Sequence, residues 1–164
     1  MQGLAKASDY HLTHVRAHGA LGNMSDVEPE VAVVLAEAIA AVDSELKLMT
    51  LPCSAADRAA TDLGLGVVRQ VFADRAYNDD GSLVSRREQG AVIHDAAFAA
   101  DRIIGLLENG FLESVNGNKL KMDIDTVVVH GDTQAAVQMT EAIRLRLENN
   151  GIRINAFSKT NNDD

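Results

Sequence analysis

The sequence predicts an α/β fold of parallel (β/α) units, and three observations lead there. Short apolar runs rich in β-branched residues alternate with helical patterns of ten or more residues, which is the signature of βαβ units with right-handed crossovers. Three of these runs end in polar, chemistry-capable clusters: His14-Val15-Arg16-Ala17-His18-Gly19-Ala20-Leu21, Val71-Phe72-Ala73-Asp74-Arg75-Ala76-Tyr77 and Thr126-Val127-Val128-Val129-His130-Gly131-Asp132-Thr133. The carboxyl ends of parallel strands are where sites are built, because loops from several strands converge there. No internal repeat, low-complexity tract or linker interrupts the alternation. Residues 1–157 therefore read as a single (β/α) domain and 158–164 as a polar tail.

Each element has its own local signal. Leu12 to His18 reads as a strand. Ser25-Asp26-Val27-Glu28 has the form of a capping box, with Pro29 in the first turn of the helix that follows. Val31, Val34, Leu35, Ala38, Ile39 and Val42 recur there at helical spacing and predict its buried stripe. Leu46 to Leu51 reads as a short buried strand. Ser54 to Asp57 caps the next helix, which should stop near Gly64 or Gly66. Val67 to Ala73 is the next strand. A helix follows from about Asp95, with Ala96, Ala99, Ala100, Ile103 and Leu107 inward and Gly110 beyond its end. Val115-Asn116-Gly117-Asn118 is a hairpin-type turn. Thr126 to His130 is the last clear strand. The final helix runs from about Thr133 to Asn149, with Val137, Thr140, Ile143 and Leu147 on one face. Between Asp74 and Ile93 no periodicity is visible, and so long a loop in a compact domain points to binding or to a lid.

Composition narrows the class of function. A chain of 164 residues is long enough to bury a sizeable core. A formal charge of −9 argues against a protein that tracks nucleic-acid phosphates. No run approaches the roughly 20 apolar residues of a membrane span. The start of the chain has no apolar signal-peptide core, and the single cysteine, Cys53, suits a reducing compartment, so a cytoplasmic location is expected. Cys53 reads as a packing residue, since nothing nearby looks like a nucleophile's base.

The strand-end residues admit both bland and chemical readings. Asp132 or Thr133 can cap the last helix while His130 packs. Alternatively, His130 and Asp132 form an acid–base or metal-ligand pair, and His18 adds a second strand-end imidazole. Asp74-Arg75 is either a surface ion pair or part of a site. Arg75, Arg86 and Arg87 concentrate positive charge on one loop of an acidic protein, which suits a small carboxylate. His11 and His14 flank the first strand, read as structural or exposed, and fit no metal-ligand spacing with a cysteine or acid; His94 just precedes a helix and reads as packing or capping. Gly64-Leu65-Gly66 is too short for a dinucleotide fingerprint and there is no P-loop, so nucleotide chemistry would require another chain or another site.

Together these segments carry a resemblance. His14-Val15-Arg16-Ala17-His18-Gly19-Ala20-Leu21-Gly22-Asn23 resembles the K-x-H-G-A-L-x-N signature of the LamB/YcsF family, known as the A subunit of 5-oxoprolinase. The segments Val71–Tyr77, Gly90–Asp95 and Val129–Thr133 match its other signatures in order. Three departures stand out: Arg16 where lysine is usual, Gly22 where tyrosine or asparagine is common, and Gln70 where glutamate usually precedes the Val-Phe-Ala-Asp-Arg run. The family's amino-terminal signatures have no match in this sequence. The resemblance therefore implies the carboxyl-terminal part of a seven-stranded distorted (β/α) barrel related to polysaccharide deacetylases.

The activity it implies is ATP-dependent opening of the lactam of 5-oxo-L-proline to L-glutamate, performed with partner subunits B and C and expected to be impaired in a shortened chain. On that reading His18, Asp74, His130 and Asp132 serve acid–base or electrostatic roles. Arg16, Asn23, Arg75, Tyr77 and Arg86 bind or orient the carboxylate lactam. No metal ligands are assigned, and whether a metal takes part is left open. One rival is a metal-assisted amidase or deacetylase acting on an N-acyl carbohydrate, by fold analogy alone. The other is a non-catalytic remnant that oligomerises. A homodimer or higher oligomer is expected, because an unpaired edge at the first strand templates association; if a separate chain supplies the missing elements, a heteromer is expected instead.

Overall fold

The computed structural model describes residues 2–131 and 136–156, which group into two compact units divided between Arg69 and Gln70. It is an α/β structure whose main strands are all paired in parallel.

The first unit runs α1 (Gln2–Ala7), β1 (His14–Val15), α2 (Gly19–Val27), α3 (Pro29–Val42), β2 (Lys47–Thr50), α4 (Ala55–Leu63) and the first half of β3 (Val67–Phe72). Strand β2 is central. It pairs with β1 through His14↔Lys47 and Val15↔Leu48, and with β3 through Leu48↔Val67 to Thr50↔Arg69. Its core is built on small residues: Ala32 and Ala36 of α3 and Ala56 and Ala60 of α4 are fully buried around Leu46 and Leu48. Side chains this short let both helices lie close to the strand. The predicted cap of α4 is present, with Ser54 Oγ accepting the Asp57 N–H at 3.1 Å, and Gly64 ends the helix in the left-handed region at φ 77°.

Three expectations in this unit need correction. The first strand is only two residues long, not Leu12 to His18. Ser25 does not start a helix; it is buried inside α2 and donates to the Gly22 carbonyl at 2.9 Å. The start of α3 is marked instead by Pro29 at its first position, after Glu28, whose side chain makes no cap bond. Finally, α3 buries Ala32, Ala36 and Ile39 and leaves Val34 and Val42 exposed. With a hydrophobic residue at nearly every position, apolar spacing alone does not pick out the buried side.

The second unit takes the rest of β3, then α5 (Ala96–Asn109), β4 (Phe111–Glu113), β5 (Lys119–Lys121), β6 (Thr126–Val128) and α6 (Ala136–Asn149). The end of β3 pairs in parallel with β6, from Gln70↔Thr126 to Phe72↔Val128. Asp95 caps α5 by accepting from Ala97 and Phe98 N–H, and Gly110 ends it at φ 74°. The predicted hairpin is present between β4 and β5. Leu106 rather than Leu107 faces inward on α5, and Ala136, Met139, Ile143 and Leu147 form the buried face of α6. Val137 and Thr140 are exposed, and the Thr140 hydroxyl bonds back to the Ala136 carbonyl. The predicted helix start at Thr133 and the tail 158–164 lie outside the described residues. Among the described residues, no helix is long and apolar enough to cross a membrane.

Candidate functional site

Parallel pairing fixes the central relationship of the site. Phe72 and Val128 are register partners, and two residues beyond each lie Asp74 and His130. Neighbouring parallel strands therefore deliver these two side chains side by side at their carboxyl ends. Asp74 Oδ2 accepts the His130 backbone N–H at 3.2 Å and lies 2.9 Å from His130 Nδ1, with Oδ1 at 3.1 Å. The His130 ring stacks on Phe72, with centroids 4.8 Å apart and planes inclined by 14°.

The pair is thus held on two sides. An ionised carboxylate only accepts hydrogen bonds, so Nδ1 carries the hydrogen and the Nε2 lone pair faces away from Asp74. Nε2 has no hydrogen-bond partner among the described residues, and His130 remains partly accessible. This is the arrangement of a general base oriented by a carboxylate. Of the sequence-predicted site residues, Asp74 and His130 are the two whose functional atoms the structure joins directly. Asp132 lies outside the described residues.

Arg75 and Tyr77 are placed differently from the sequence expectation. Arg75 is only 6% exposed, and its guanidinium donates to the carbonyls of Ala91 and Val84. Tyr77 is fully buried, and its hydroxyl accepts the Phe72 N–H at 2.8 Å. Burial pushes the Tyr77 phenol well above its ordinary range and lowers the Arg75 guanidinium from its usual value, with the nearby Arg86 charge adding to the effect. Both side chains hold the backbone of the segment after β3. That segment is pinned further by the bridges Arg75↔Val92 and Tyr77↔Leu83 and by Ile93 N–H to the Asp74 carbonyl. These contacts pack the segment along its length.

Arg102, which belongs to none of the sequence motifs, completes the frame. From α5 its guanidinium donates to the carbonyls of Ala73 at 3.1 Å and Arg75 at 3.2 Å. A signal for it exists in the sequence: an arginine beside the inward-facing Ala99 and Ile103 must find a buried partner. Arg86 is exposed on the same loop.

The remaining predicted residues belong to the first unit. His18 immediately precedes α2, without a side-chain cap bond, and both His18 and Asn23 are exposed. Arg16 is half-buried, and its charge acts on Asp26. Gly22 is a steric requirement here, because a Cβ would sit 2.8 Å from the Ala17 carbonyl oxygen. A polar cluster without a sequence signature lies at the end of β2: Thr50 Oγ1 donates to Asp26 Oδ1 at 2.6 Å and lies 3.2 Å from Ser54 Oγ. Burial raises the Asp26 carboxyl above its ordinary range, partly offset by the Thr50 and Ser54 hydroxyls, the Leu51 backbone and the Arg16 charge. Among the described residues, no group of three His, Cys, Asp or Glu side chains is placed to hold a metal ion.

A parallel α/β structure carrying a carboxylate-oriented imidazole at its strand ends defines a class of enzyme-like scaffold. Within that class, the chain belongs to the LamB/YcsF family, whose profile matches residues 1–162. It is 45% identical over 157 residues to the 5-oxoprolinase A subunit of Nitrobacter hamburgensis, covering 96% of this chain and 62% of that protein. It is 42% identical to the protein of the same name in Gluconobacter oxydans, with the same coverage. Its fold matches the crystal structure of the lactam utilization protein of Thermus thermophilus with a TM-score of 0.84 and 31% identity, over 94% of this chain and 62% of that one. The chain thus spans about 62% of the length of these relatives.

Proposed function

We propose that this chain carries the base-bearing part of a 5-oxoprolinase A subunit, which opens the lactam of 5-oxo-L-proline to give L-glutamate. The observation that carries the reading is the Asp74–His130 pair, with Nδ1 on the carboxylate and Nε2 turned away from it. Opening a lactam by hydrolysis adds water across the C–N bond. One proton must leave the attacking water and one must reach the departing nitrogen. His130 Nε2 takes the first proton and, once protonated, returns one to the ring nitrogen as the bond breaks. Asp74 holds the imidazole in the tautomer this requires and balances the charge of the imidazolium. The relatives' names support the choice of substrate.

ATP supplies the driving force for opening a resonance-stabilised amide. The sequence has no P-loop, so we assign its handling to partner subunits B and C. Within the second unit, Arg86 is kept as a substrate-orienting residue. Arg75 and Tyr77 are reassigned to holding the loop that carries Asp74.

The test is a titration of the chain with 5-oxo-L-proline, followed through the imidazole resonances of His130. A saturable shift of those resonances, with weaker binding in His130→Ala, supports the reading. Binding that leaves His130 unperturbed, or no binding at all, overturns it.

A further inference from the structure

The sequence contains three Asn-Gly pairs, Asn109-Gly110, Asn116-Gly117 and Asn150-Gly151, and all of them are exposed. Asparagine followed by glycine is prone to deamidation, because glycine has no Cβ to keep its backbone nitrogen away from the asparagine side chain. In that reaction the glycine nitrogen loses its proton to a solvent base and bonds to the asparagine Cγ. The Cγ–Nδ2 bond breaks, and the amide nitrogen takes up a proton and leaves as ammonia. Water then opens the resulting succinimide at one of its two carbonyls. The product is aspartate or, with the chain rerouted through Cβ, isoaspartate. Ring closure therefore needs two groups to be free, the glycine N–H and the asparagine carboxamide.

Both groups are held at every pair, but by different means. The glycine N–H groups donate to nearby carbonyls: Gly110 to Leu106 at 2.8 Å, Gly117 to Ser114 at 3.0 Å and Gly151 to Glu148 at 3.0 Å. The carboxamides of Asn109 and Asn150 donate to the Gly105 and Arg146 carbonyls, at 2.9 and 2.8 Å. Those bonds are made within the ends of α5 and α6 and last as long as the helices do. Asn116 lies instead at the tip of the β4–β5 hairpin. Its Nδ2 donates to Asp79 Oδ2 at 2.9 Å, across 37 residues of chain.

Asp79 is tied to the same turn a second time. Its Oδ1 accepts from Ser114 Oγ at 2.5 Å, and Ser114 Oγ accepts the N–H groups of Asn116 and Asn118 at 3.2 and 3.1 Å. Bonds from Ser114, Asn116 and Asn118 hold the Asp79 carboxyl below its ordinary range, so it remains an acceptor at neutral pH. One carboxylate thus fixes both the Asn116 carboxamide and the turn that engages the Gly117 N–H. The hairpin tip is in turn bonded to the segment after β3, through the Val115 N–H to the Tyr77 carbonyl at 2.9 Å.

We propose that Asn116-Gly117 is a deamidation site held in check by Asp79, and that its modification frees the hairpin tip from the segment after β3. The product places a second carboxylate where a donor stood 2.9 Å from the first, and like charges that close repel. Isoaspartate also adds a backbone carbon to a turn that already requires Gly117 at φ 79°.

The experiment incubates the folded wild type and Asp79→Ala at mildly alkaline pH and follows the three pairs by peptide mapping with tandem mass spectrometry. Conversion at Asn116 should be about three- to tenfold faster in Asp79→Ala, the factor that one net hydrogen bond contributes, with Asn109 and Asn150 unchanged. An unchanged rate at Asn116 overturns the proposal. So does an equal rise at all three pairs, which reports general unfolding instead of a lost clamp. The effect of modification is read by hydrogen exchange at the Val115 amide. Exchange there should quicken in Asn116→Asp and slow again when Asp79→Asn is added, because a donor and an acceptor then face each other once more. Exchange equal in the wild type and Asn116→Asp, or not slowed by the second change, shows that the tip is held without this pair and overturns that part of the proposal.

Discussion

Arg102 brackets Asp74 without touching its carboxylate. Its guanidinium donates to the carbonyls of the residues on either side, Ala73 and Arg75, so a helix fixes the turn from which the carboxylate reaches His130. Burial holds the Arg102 guanidinium below its usual value, and the Tyr77 and Asp74 side chains oppose that shift. Replacing it by methionine keeps the apolar stem but leaves two buried carbonyls without their donor. Arg102→Met should therefore lose about 1–3 kcal/mol in urea unfolding. Lysine, with a single ammonium, should recover only part. An unchanged unfolding midpoint would show that water replaces the guanidinium without loss.

The Asp74–His130 pair leads to a kinetic prediction. On the proposed lactam-opening function, assayed with partner subunits and ATP added, Asp74→Asn keeps the shape of the side chain but removes the charge that sets the imidazole tautomer. Glutamate release should fall by about 10²–10⁴-fold, the range ordinarily carried by general acid–base groups. His130→Gln should fall as far, and the double variant should be scarcely worse than either alone, because residues acting as one unit are not additive. Independent losses that multiply in the double variant would mean that the two do not act together.

Tyr77 provides a spectroscopic test of how firmly the loop after β3 is held. The chain has two tyrosines, and in a Tyr10→Phe background Tyr77 is the sole phenol. Burial raises its pKa far above the ordinary range. Tyrosinate absorbance in that background should appear only together with loss of helical circular dichroism. Tyr77→Phe removes the acceptor of the buried Phe72 N–H and should cost about 1–3 kcal/mol. Ionisation of Tyr77 in the folded protein would show that the loop opens.

Much of this architecture is legible in the sequence, and the failures have physical causes. Ser54, Gly64, Asp95 and Gly110 declare their helix ends because capping and left-handed turns are local events. The strand-end motif that delivers Asp74 and His130 is legible because parallel pairing with short strands leaves few registers. The buried faces of α3 and α6 are not, since which side of an apolar helix is covered depends on neighbours far away in sequence. Arg75 and Tyr77 resemble ligand-binding groups because sequence reveals a side chain's chemistry but not whether backbone groups already occupy it. Asp26 and Thr50 are 24 residues apart, and nothing local links them.

Asp26 should leave a mark on the pH dependence of stability. Burial raises its folded-state pKa above the unfolded value, so the native state favours the protonated acid. The stabilisation from that proton is complete below the unfolded pKa, near 3.9, and is lost as pH rises through the folded pKa. Asp26→Asn removes the titration while keeping an oxygen to accept from Thr50 Oγ1. The variant should melt higher than the wild type at pH 7, and the advantage should shrink toward zero as the pH is lowered past the carboxylate range. A difference independent of pH would show that Asp26 titrates alike in the folded and unfolded chain.

Cys53 supplies the last prediction. It sits between β2 and α4 at φ 57°, a left-handed conformation that costs a residue with a Cβ about 1–2 kcal/mol relative to a right-handed one. The strain is maintained by two local bonds. The Cys53 N–H donates to Asp57 Oδ2 at 2.9 Å, and its carbonyl accepts from Arg58 Nη1 at 2.5 Å. Asp57 is itself held by a two-pronged pair with Arg69, at 3.0 and 2.9 Å. Both Cys53 contacts use backbone atoms, so glycine would keep them and remove the strain, at the cost of a more flexible unfolded chain. Cys53→Gly should raise stability by about 0.5–1 kcal/mol. Cys53→Val, branched at Cβ, should lower it by more than that. Equal unfolding midpoints for the glycine and valine variants would show that this residue is not held in the left-handed region in solution.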